Sequence, residues 1–410
     1  MPVWKSGCVF VPLVLVAAAP AFAEPTTYKG TLGKGEIVVE LTDDPAASAG
    51  PIAGRYLYLS QGADIPLQAK SHQGSALQLS EEEACKEKCE EGKPGPIGAT
   101  WKLTVSADGK AIEGSWAGKK TLPVKLERVG SRPAGGDPPK TPLDLYNYSD
   151  ENFLVEDKQI TPQTSPYDYL RLDVAYTEGE KKGWPDASYH DVTDPRTKFA
   201  RPRIVELAGG VSADAANAVL RTRHWRDSIA ALGCKAMQYA GFQEYGPIPG
   251  GDDGSLGGYE DTLAEVTALT PKLMGWTESG SVFCGGAHPE NYSTAYTMDV
   301  RTGQVFELAD MFKDVVDGMP GPSLAAFVKE KREKPTKQDD IDFETDCGMD
   351  DLIAQNLAGG IKRDGDELKI VFSLQGLPHV IQACNEDLLE LPVADAKHLL
   401  TTKFAALLTK

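Results

Sequence analysis

The chain has 410 residues, of which 60 are Asp or Glu and 42 are Lys or Arg, so its formal net charge is −18. Hydrophobic residues make up 41% and charged residues 25% of the chain, which excludes a largely disordered chain and a multi-span membrane protein. The acidic balance and the lack of a Lys/Arg cluster in the sequence argue against a nucleic-acid partner, because phosphate binding needs a basic face.

The first 23 residues are typical of a secretory signal peptide. Lys5 supplies the positive charge, residues 9–19 form a short apolar core, and residues 21–23 (Ala-Phe-Ala) give the cleavage pattern, with Glu24 as the new N-terminus. An uncleaved membrane anchor is the alternative. No other apolar run approaches the roughly 20 residues that a bilayer span needs. We therefore expect a periplasmic or secreted protein with no membrane span in its mature form.

Six cysteines remain after this segment is removed, and an even number in an exported chain favours disulfides. The sequence does not determine their connectivity. The simplest set pairs Cys85 with Cys89, Cys234 with Cys284, and Cys347 with Cys384. Metal binding by the first pair is the alternative, but no second Cys/His pair lies nearby in the sequence.

Residues 24–130 have the pattern of a small all-β domain. The apolar residues alternate with polar ones from Trp101 to Val105, and Asp108-Gly109 is a hairpin signal between two strands. Eight short strands are predicted, over residues 27–32, 36–42, 52–60, 65–70, 76–80, 100–106, 111–116 and 122–129. Such a meander predicts an antiparallel barrel or sandwich.

Two segments interrupt or end this domain. Residues 81–92 form a charged insertion that carries the first two cysteines, and it is predicted as a helical turn or loop on the barrel rim. Residues 131–142 are rich in Pro and Gly and are predicted to be a linker. Residues 24–130 have a net charge of only −2, so the acidic excess belongs to the remainder of the chain.

Residues 143–410 mix helical and strand patterns without regular βαβ units, which predicts an α+β domain with a mainly antiparallel sheet. Helices are predicted over residues 212–239, with Ser212 as a plausible N-cap, and over residues 323–334, 350–357 and 394–408. Strands are predicted over residues 169–176, 264–270, 272–278, 294–300, 304–308, 368–374, 377–383 and 389–392. The glycine-rich acidic segment 246–258 is predicted to be a solvated loop, with calcium binding as the alternative.

The most distinctive short motif is the Cys-Gly-Gly-Ala-His-Pro run at residues 284–289. Cys284 and His288 could act as a nucleophile and its base, whereas a glycine turn beside a disulfide-bonded cysteine is the structural alternative. The candidate binding residues are Gly285, Gly286, His288, Tyr292 and Asp299. No metal-ligand spacing, nucleophile elbow, phosphate loop or dinucleotide motif occurs in the sequence, so we predict neither a cofactor nor a metal.

This motif leads to a family resemblance. The Gly-Gly-Ala-His run at residues 285–288 and the hairpin at residues 297–312 (TMDVRTGQVFELADMF) are similar to the central signature of the extracellular domain of lysozyme-sensing anti-sigma factors. The strand and helix at residues 202–231 and the closing segments after residue 370 extend the resemblance over about residues 200–408. A similar module forms the non-catalytic part of certain peptidoglycan deacetylases.

The resemblance implies a binding module of the cell envelope, without catalytic residues, whose relatives engage lysozyme or accompany a cell-wall enzyme. Unlike those relatives, this sequence has neither a transmembrane segment with a sigma-binding tail nor a deacetylase domain. The family also leaves the first domain unexplained.

Three functions remain open from the sequence. The first is an exported, non-catalytic protein that binds a basic protein such as a lysozyme, or cell-wall material, through its second domain. The second is a periplasmic hydrolase of cell-wall glycan or peptide, with a site near His288 and Asp299 or within residues 143–200. The third is a carrier that holds a small apolar ligand in the N-terminal barrel. The sequence does not indicate an oligomeric state.

Overall fold

A computed structural model describes residues 24–85, 89, 94–133, 136–243, 262–284 and 289–409. The predicted signal peptide, the acidic segment 246–258 and the candidate residues Gly285, Gly286 and His288 lie outside the described residues. A closed β-barrel forms the N-terminal part, and antiparallel sheets with intervening helices form the rest. The predicted α+β class is confirmed.

The first eight strands are β1 (Thr26–Leu32), β2 (Gly35–Leu41), β3 (Gly54–Tyr58), β4 (Ile65–Gln73), β5 (Ala76–Glu82), β6 (Ile97–Val105), β7 (Ala111–Ala117) and β8 (Thr121–Ser131). Each strand pairs with the next, and β1 also pairs with β8, which closes an antiparallel barrel. Of the barrel and the sandwich predicted from the sequence, the barrel is therefore the observed form.

Strand β6 shows how the sequence encodes the barrel. Trp101, Leu103 and Val105 are buried, whereas Lys102 and Thr104 are exposed, as expected where one face of a strand points inward. Sixteen buried apolar side chains, most of them from the strands, form one cluster. The barrel interior is therefore a packed core of side chains.

Glu81 places a carboxylate beside this apolar core. Its Oε2 accepts hydrogen bonds from Nε1 of Trp101 at 2.8 Å and Nε1 of Trp116 at 2.6 Å. Burial raises the pKa of Glu81, and the indole donors only partly oppose that effect. Because β5 runs to Glu82, the charged loop predicted over residues 81–92 begins later than expected.

The Pro/Gly-rich segment leads from β8 to α1 (Pro142–Ser149), a π-helical segment (Asp150–Val155) and α2 (Pro166–Leu172). Ser165 accepts a hydrogen bond from the backbone N–H of Asp168, and Pro166 occupies the first turn of α2. Both features start helices, so the strand predicted over residues 169–176 is wrong. Helix α2 packs against the outside of β1, β2 and β8.

The remaining strands form four antiparallel sheets in the part of the chain that the structure describes. They are β9 (Thr177–Glu178), β10 (Lys182–Trp184), β11 (Ala187–Thr193) and β12 (Ala200–Leu207); β13 (Leu263–Leu269), β14 (Leu273–Val282), β15 (Glu290–Asp299) and β16 (Gln304–Val305); β17 (Val315–Val316) and β18 (Met319–Pro320); and β19 (Leu357–Asp364), β20 (Glu367–Leu374) and β21 (Asp387–Pro392).

The helices of this region vary in length from one turn to six. They are α3 (Asp214–Ala236), α4 (Leu308–Met311), α5 (Pro322–Lys331), α6 (Gln338–Cys347), α7 (Met349–Asn356), α8 (Val393–Ala396) and α9 (Thr402–Leu407), with 3-10 turns at Ala208–Gly210, Ala240–Phe242 and His379–Cys384. The long helix predicted over residues 212–239 is confirmed as α3, although Ala213 and not Ser212 occupies the N-cap position. No described helix is long and apolar enough to cross a membrane.

The sheet of β13 to β16 separates two apolar cores. Ala268 and Leu273 point into the core formed with β19 to β21 and helices α4 to α9. Their chain neighbours Leu269 and Met274 point into the core formed with α3, β11 and β12. Alternate residues of β13 and β14 therefore face opposite sides, and a helix-and-sheet layer covers each side.

Three local predictions for this region are wrong. The strand predicted over residues 377–383 is absent and a 3-10 turn at His379–Cys384 takes its place, because Pro378 cannot donate to a sheet ladder. Strand β16 is only two residues long, and α4 begins at Leu308. The last predicted helix, residues 394–408, is two helices, since the side chain of Thr401 caps a new one by accepting from the N–H of Phe404.

Candidate functional site

The two described candidate residues lie on the same strand but at opposite ends. Tyr292 is opposite Gly280 near the start of β15, and Asp299 ends that strand opposite Leu273. They are seven positions apart on an extended strand, which corresponds to about 23 Å. Tyr292 and Asp299 therefore do not meet in one site. The candidate residues Gly285, Gly286 and His288 lie outside the described residues.

Tyr292 lines a cavity of about 330 Å³ that also includes Arg226, Asp227 and Glu290. Burial raises the pKa of the Asp227 carboxyl, although Arg201 donates to it from 2.7 Å and opposes the shift. Tyr292, a candidate binding residue from the sequence, therefore lies on the wall of a cavity that also holds two carboxylates and a guanidinium. Its role in binding stays a prediction.

Asp299 serves the turn that follows β15. Its carboxylate accepts hydrogen bonds from the backbone N–H of Arg301 at 2.9 Å and from the Arg301 guanidinium at 2.8 and 3.1 Å. The Asp299 pKa lies below its usual value; burial would raise it, but the hydrogen bonds from Arg301 outweigh that effect. With its oxygens used inside the turn, Asp299 acts here as a structural carboxylate.

A more prominent polar surface occurs on helices α6 and α7. Residues 338–356 contain seven carboxylates and no Lys or Arg. We define the acidic ridge as six exposed carboxylates and two exposed apolar side chains: Asp339, Asp340, Asp342, Asp346, Asp350, Asp351, Ile341 and Phe343. None of the six carboxylates forms an ion pair with a Lys or Arg within the described part of the chain.

None of the residues of helix α6 is buried, and of its apolar side chains only Cys347 packs against the core. Ile341 and Phe343 are 38% and 45% exposed. Apolar side chains exposed on an acidic helix do not stabilise the fold by burial, and apolar patches rimmed by polar groups are a common feature of interaction sites.

The ridge is nevertheless firmly attached. Arg332 forms a two-point ion pair with Glu344, in which both N–O distances are 2.6 Å, and this pairing lowers the Glu344 pKa. A disulfide joins Cys347, the last residue of α6, to Cys384. Gly348 adopts φ +63° between α6 and α7, a left-handed conformation that favours glycine.

A cavity of about 410 Å³ lies at the foot of the ridge. Pro335, Ile341 and Met349 line it together with Asp350 and Asp351, and Arg332 and Lys334 also lie on its wall. The wall is therefore mixed in charge, and the exposed helix surface above it carries the carboxylates that lack a Lys or Arg partner among the described residues. The sequence signal for this site was the acidic run from 339 to 346, in which the only apolar residues are Ile341 and Phe343.

A further polar cluster joins His224, a buried residue of α3, to Arg203 on β12. Arg203 donates to Nδ1 of His224 at 3.3 Å, which leaves the proton of a neutral imidazole on Nε2. Burial and the nearby Arg203 and Arg201 lower the His224 pKa to about 3. Burial, together with Arg221 and Arg201, lowers the Arg203 pKa to about 10. Neutral His224 thus acts as an acceptor for a buried guanidinium.

Within the described ranges, no group of three or more His, Cys, Asp or Glu residues could hold a metal ion. The structure contains the disulfides Cys85–Cys89, Cys234–Cys284 and Cys347–Cys384, which are the pairs expected from the sequence. Neither the models of known protein families nor the curated proteins contain a match to this chain.

Proposed function

We propose that this chain is an exported binding protein that holds a basic protein partner, of the lysozyme type, at the acidic ridge. The observation that carries the proposal is a helix that contributes no buried residue to the fold and is yet fixed by an ion pair and a disulfide. Such a helix presents its side chains outward in a defined geometry, which a binding surface requires.

The charges of the ridge match such a partner. Six carboxylates without a Lys or Arg partner among the described residues create a negative potential that attracts a basic surface and speeds encounter. Phe343 and Ile341 are suited to be the apolar anchors at the centre of the contact, where most binding energy is usually concentrated. The resemblance expected from the sequence of residues 200–408 favours the same partner class, because relatives of that module engage lysozyme or accompany a cell-wall enzyme.

The expected location of the protein is consistent with the proposal. The sequence begins with a segment typical of a signal peptide, and three disulfides are the bonds of an oxidising compartment. A lysozyme-like enzyme is encountered in the same compartment. The alternative of a small apolar ligand inside the barrel is less favoured, because sixteen buried side chains fill that interior.

The test is titration calorimetry of residues 24–410 with a purified basic lysozyme at near-physiological salt. Asp339→Asn, Asp340→Asn and Asp342→Asn together should weaken binding about tenfold or more, and raised salt should weaken wild-type binding. The matched control neutralises three exposed barrel carboxylates, with Glu36→Gln, Glu113→Gln and Glu127→Gln. No complex with the wild type, or equal losses in both triple variants, would contradict the proposal.

A further inference from the structure

A third cavity, of about 650 Å³, lies where three turns meet the C-terminal end of α9. Asp186, in the β10–β11 turn, and Lys272, in the β13–β14 turn, lie on its wall, as do Asp366 in the β19–β20 turn and Leu408 near the C-terminal end of α9. A volume of this size is typical of sites for small organic molecules. The residues come from positions as far apart as 185 and 409, so only the folded chain creates the cavity.

Much of the wall is apolar. Its apolar members are Pro185, Ala208, Pro271, Leu368, Pro392, Val393, Ala394, Leu407 and Leu408. Apolar walls with a few polar groups are the usual composition of a ligand site, since the walls provide affinity and the polar groups provide orientation.

Both cations of the cavity are already engaged. The Arg363 guanidinium donates to Asp186 Oδ1 at 2.6 Å and to the Leu269 carbonyl at 2.7 Å, and Arg363 Nε donates to the Gly365 carbonyl at 3.1 Å. The Lys272 ammonium donates to the Thr409 carbonyl at 2.6 Å. These two side chains tie the connections together, and they face three carboxylates of the same wall, Asp186, Asp366 and Glu367.

The carboxylates outnumber the cations of the wall by three to two and keep free acceptor capacity. The Asp366 side chain is 84% exposed and lies 3.7 Å from Arg363 Nη2, and Glu367 is exposed at the same rim. Asp186 uses Oδ1 for Arg363. A ligand with hydrogen-bond donors and positive charge can therefore be bound at the rim while its apolar part contacts the wall.

We infer that this cavity binds a small amphipathic cation, a molecule with an apolar body and an ammonium or guanidinium group directed at Asp366 and Glu367. This inference goes beyond the proposed function, because none of the lining residues belongs to the acidic ridge. The free acceptors select the cationic end, and the proline- and leucine-rich wall selects the apolar body.

The experiment uses three probes of one shape: 2-naphthylmethylammonium, 2-naphthylmethanol and 2-naphthylacetate. Binding to residues 24–410 is followed by NMR titration at up to roughly millimolar probe. The ammonium should bind tightest and the acetate weakest. Asp366→Asn with Glu367→Gln should weaken ammonium binding about five- to tenfold and leave the alcohol unchanged. Ala394→Trp, which fills the cavity from an exposed position, should abolish binding of all three probes.

Glu113→Gln with Glu127→Gln is the control, since it removes the same charge from the exposed surface of the barrel and should leave all three affinities unchanged. Thermal melting checks that every variant is folded. The inference is overturned by a cation that does not bind, by an acetate that binds as tightly as the ammonium, or by ammonium binding that persists in Ala394→Trp. Loss of lysozyme binding in the ridge variants would not affect this result, so the two proposals can fail separately.

Discussion

Arg55 on barrel strand β3 lies 3.5 Å from a carboxylate oxygen of Asp168 on helix α2, and neither side chain is exposed. This pair belongs to a buried network of three guanidiniums and three carboxylates: Arg55, Arg132, Arg171, Glu40, Asp64 and Asp168. Burial would raise the Asp168 pKa, but its ion pairs and hydrogen bonds outweigh burial and lower it. The barrel is thus joined to the following helices by charges that water does not reach.

Replacing Arg55 with Met should therefore be costly. It leaves Glu40, Asp64 and Asp168 buried with one cation fewer, and breaking a buried pair in this way costs about 3–5 kcal/mol. The free energy of unfolding from urea denaturation measures the effect. Lys110→Met is the control, because the Lys110–Asp108 pair is exposed and such pairs contribute about 0–1 kcal/mol. Equal losses in the two variants would show that the network does not hold the barrel in place.

His224 should make the protein sensitive to acid. Its pKa is about 3 in the folded chain and about 6.5 in an unfolded chain. Between these values the unfolded state binds the extra proton, so stability falls as pH drops from about 6.5 towards 3. His224→Asn keeps an acceptor for Arg203 but does not titrate. Between pH 6.5 and 4, we expect the free energy of unfolding of the variant to fall by about 2–3 kcal/mol less than that of the wild type. Parallel curves of unfolding free energy against pH for the two proteins would contradict this.

Glu81 should have the opposite pH dependence. Burial raises its pKa. At pH values between the unfolded and the folded pKa, the folded chain therefore keeps a proton on Glu81 that the unfolded chain has lost. Stability then falls as pH rises from the unfolded value of about 4.5 through the raised folded value. In Glu81→Gln this decline should disappear, as measured by denaturation at several pH values. Glu113→Gln, at an exposed position of the same barrel, should keep the wild-type profile; a wild-type profile in Glu81→Gln would refute the prediction.

The Cys347–Cys384 disulfide should stabilise the acidic ridge. Opening it with Cys347→Ser and Cys384→Ser frees a loop with a sequence separation of 37, which costs about 2–4 kcal/mol. Amide exchange should accelerate in α6 and α7 and remain slow in the barrel. The Cys85–Cys89 bond has a separation of only 4, so Cys85→Ser with Cys89→Ser should cost less. Unchanged exchange in α6 would show that the Arg332–Glu344 pair alone holds the ridge.

The barrel and helix α3 could be predicted from the sequence because their patterns are local. Alternation from Trp101 to Val105 identifies a strand with one buried face, and the apolar stripe of α3, with Leu220 and Ile229, identifies a buried helix face. Helix α6 escaped prediction because it has no such stripe. Its exposed apolar residues, Ile341 and Phe343, are two positions apart, and that spacing is not typical of the buried face of a helix.

The 650 Å³ cavity could not be predicted for a different reason. Its wall joins turns that lie far apart in the chain, and Arg363 links Asp186 to Leu269 across three of the sheets. Each turn by itself has ordinary composition. Only the packing of those sheets, which depends on the two cores on either side of β13 and β14, brings the turns together.

The pairing of β1 with β8 has a consequence for how other molecules can approach the barrel. Thr26 is opposite Ser131 across that seam, so the first and last strands of the meander leave no free edge there. A peptide therefore cannot extend β1 or β8 by β-augmentation. The ladder is shortest between β3 and β4, where three residue pairs join strands of five and nine residues, so β4 beyond Leu67 is the barrel strand on which an added strand would find unpaired backbone.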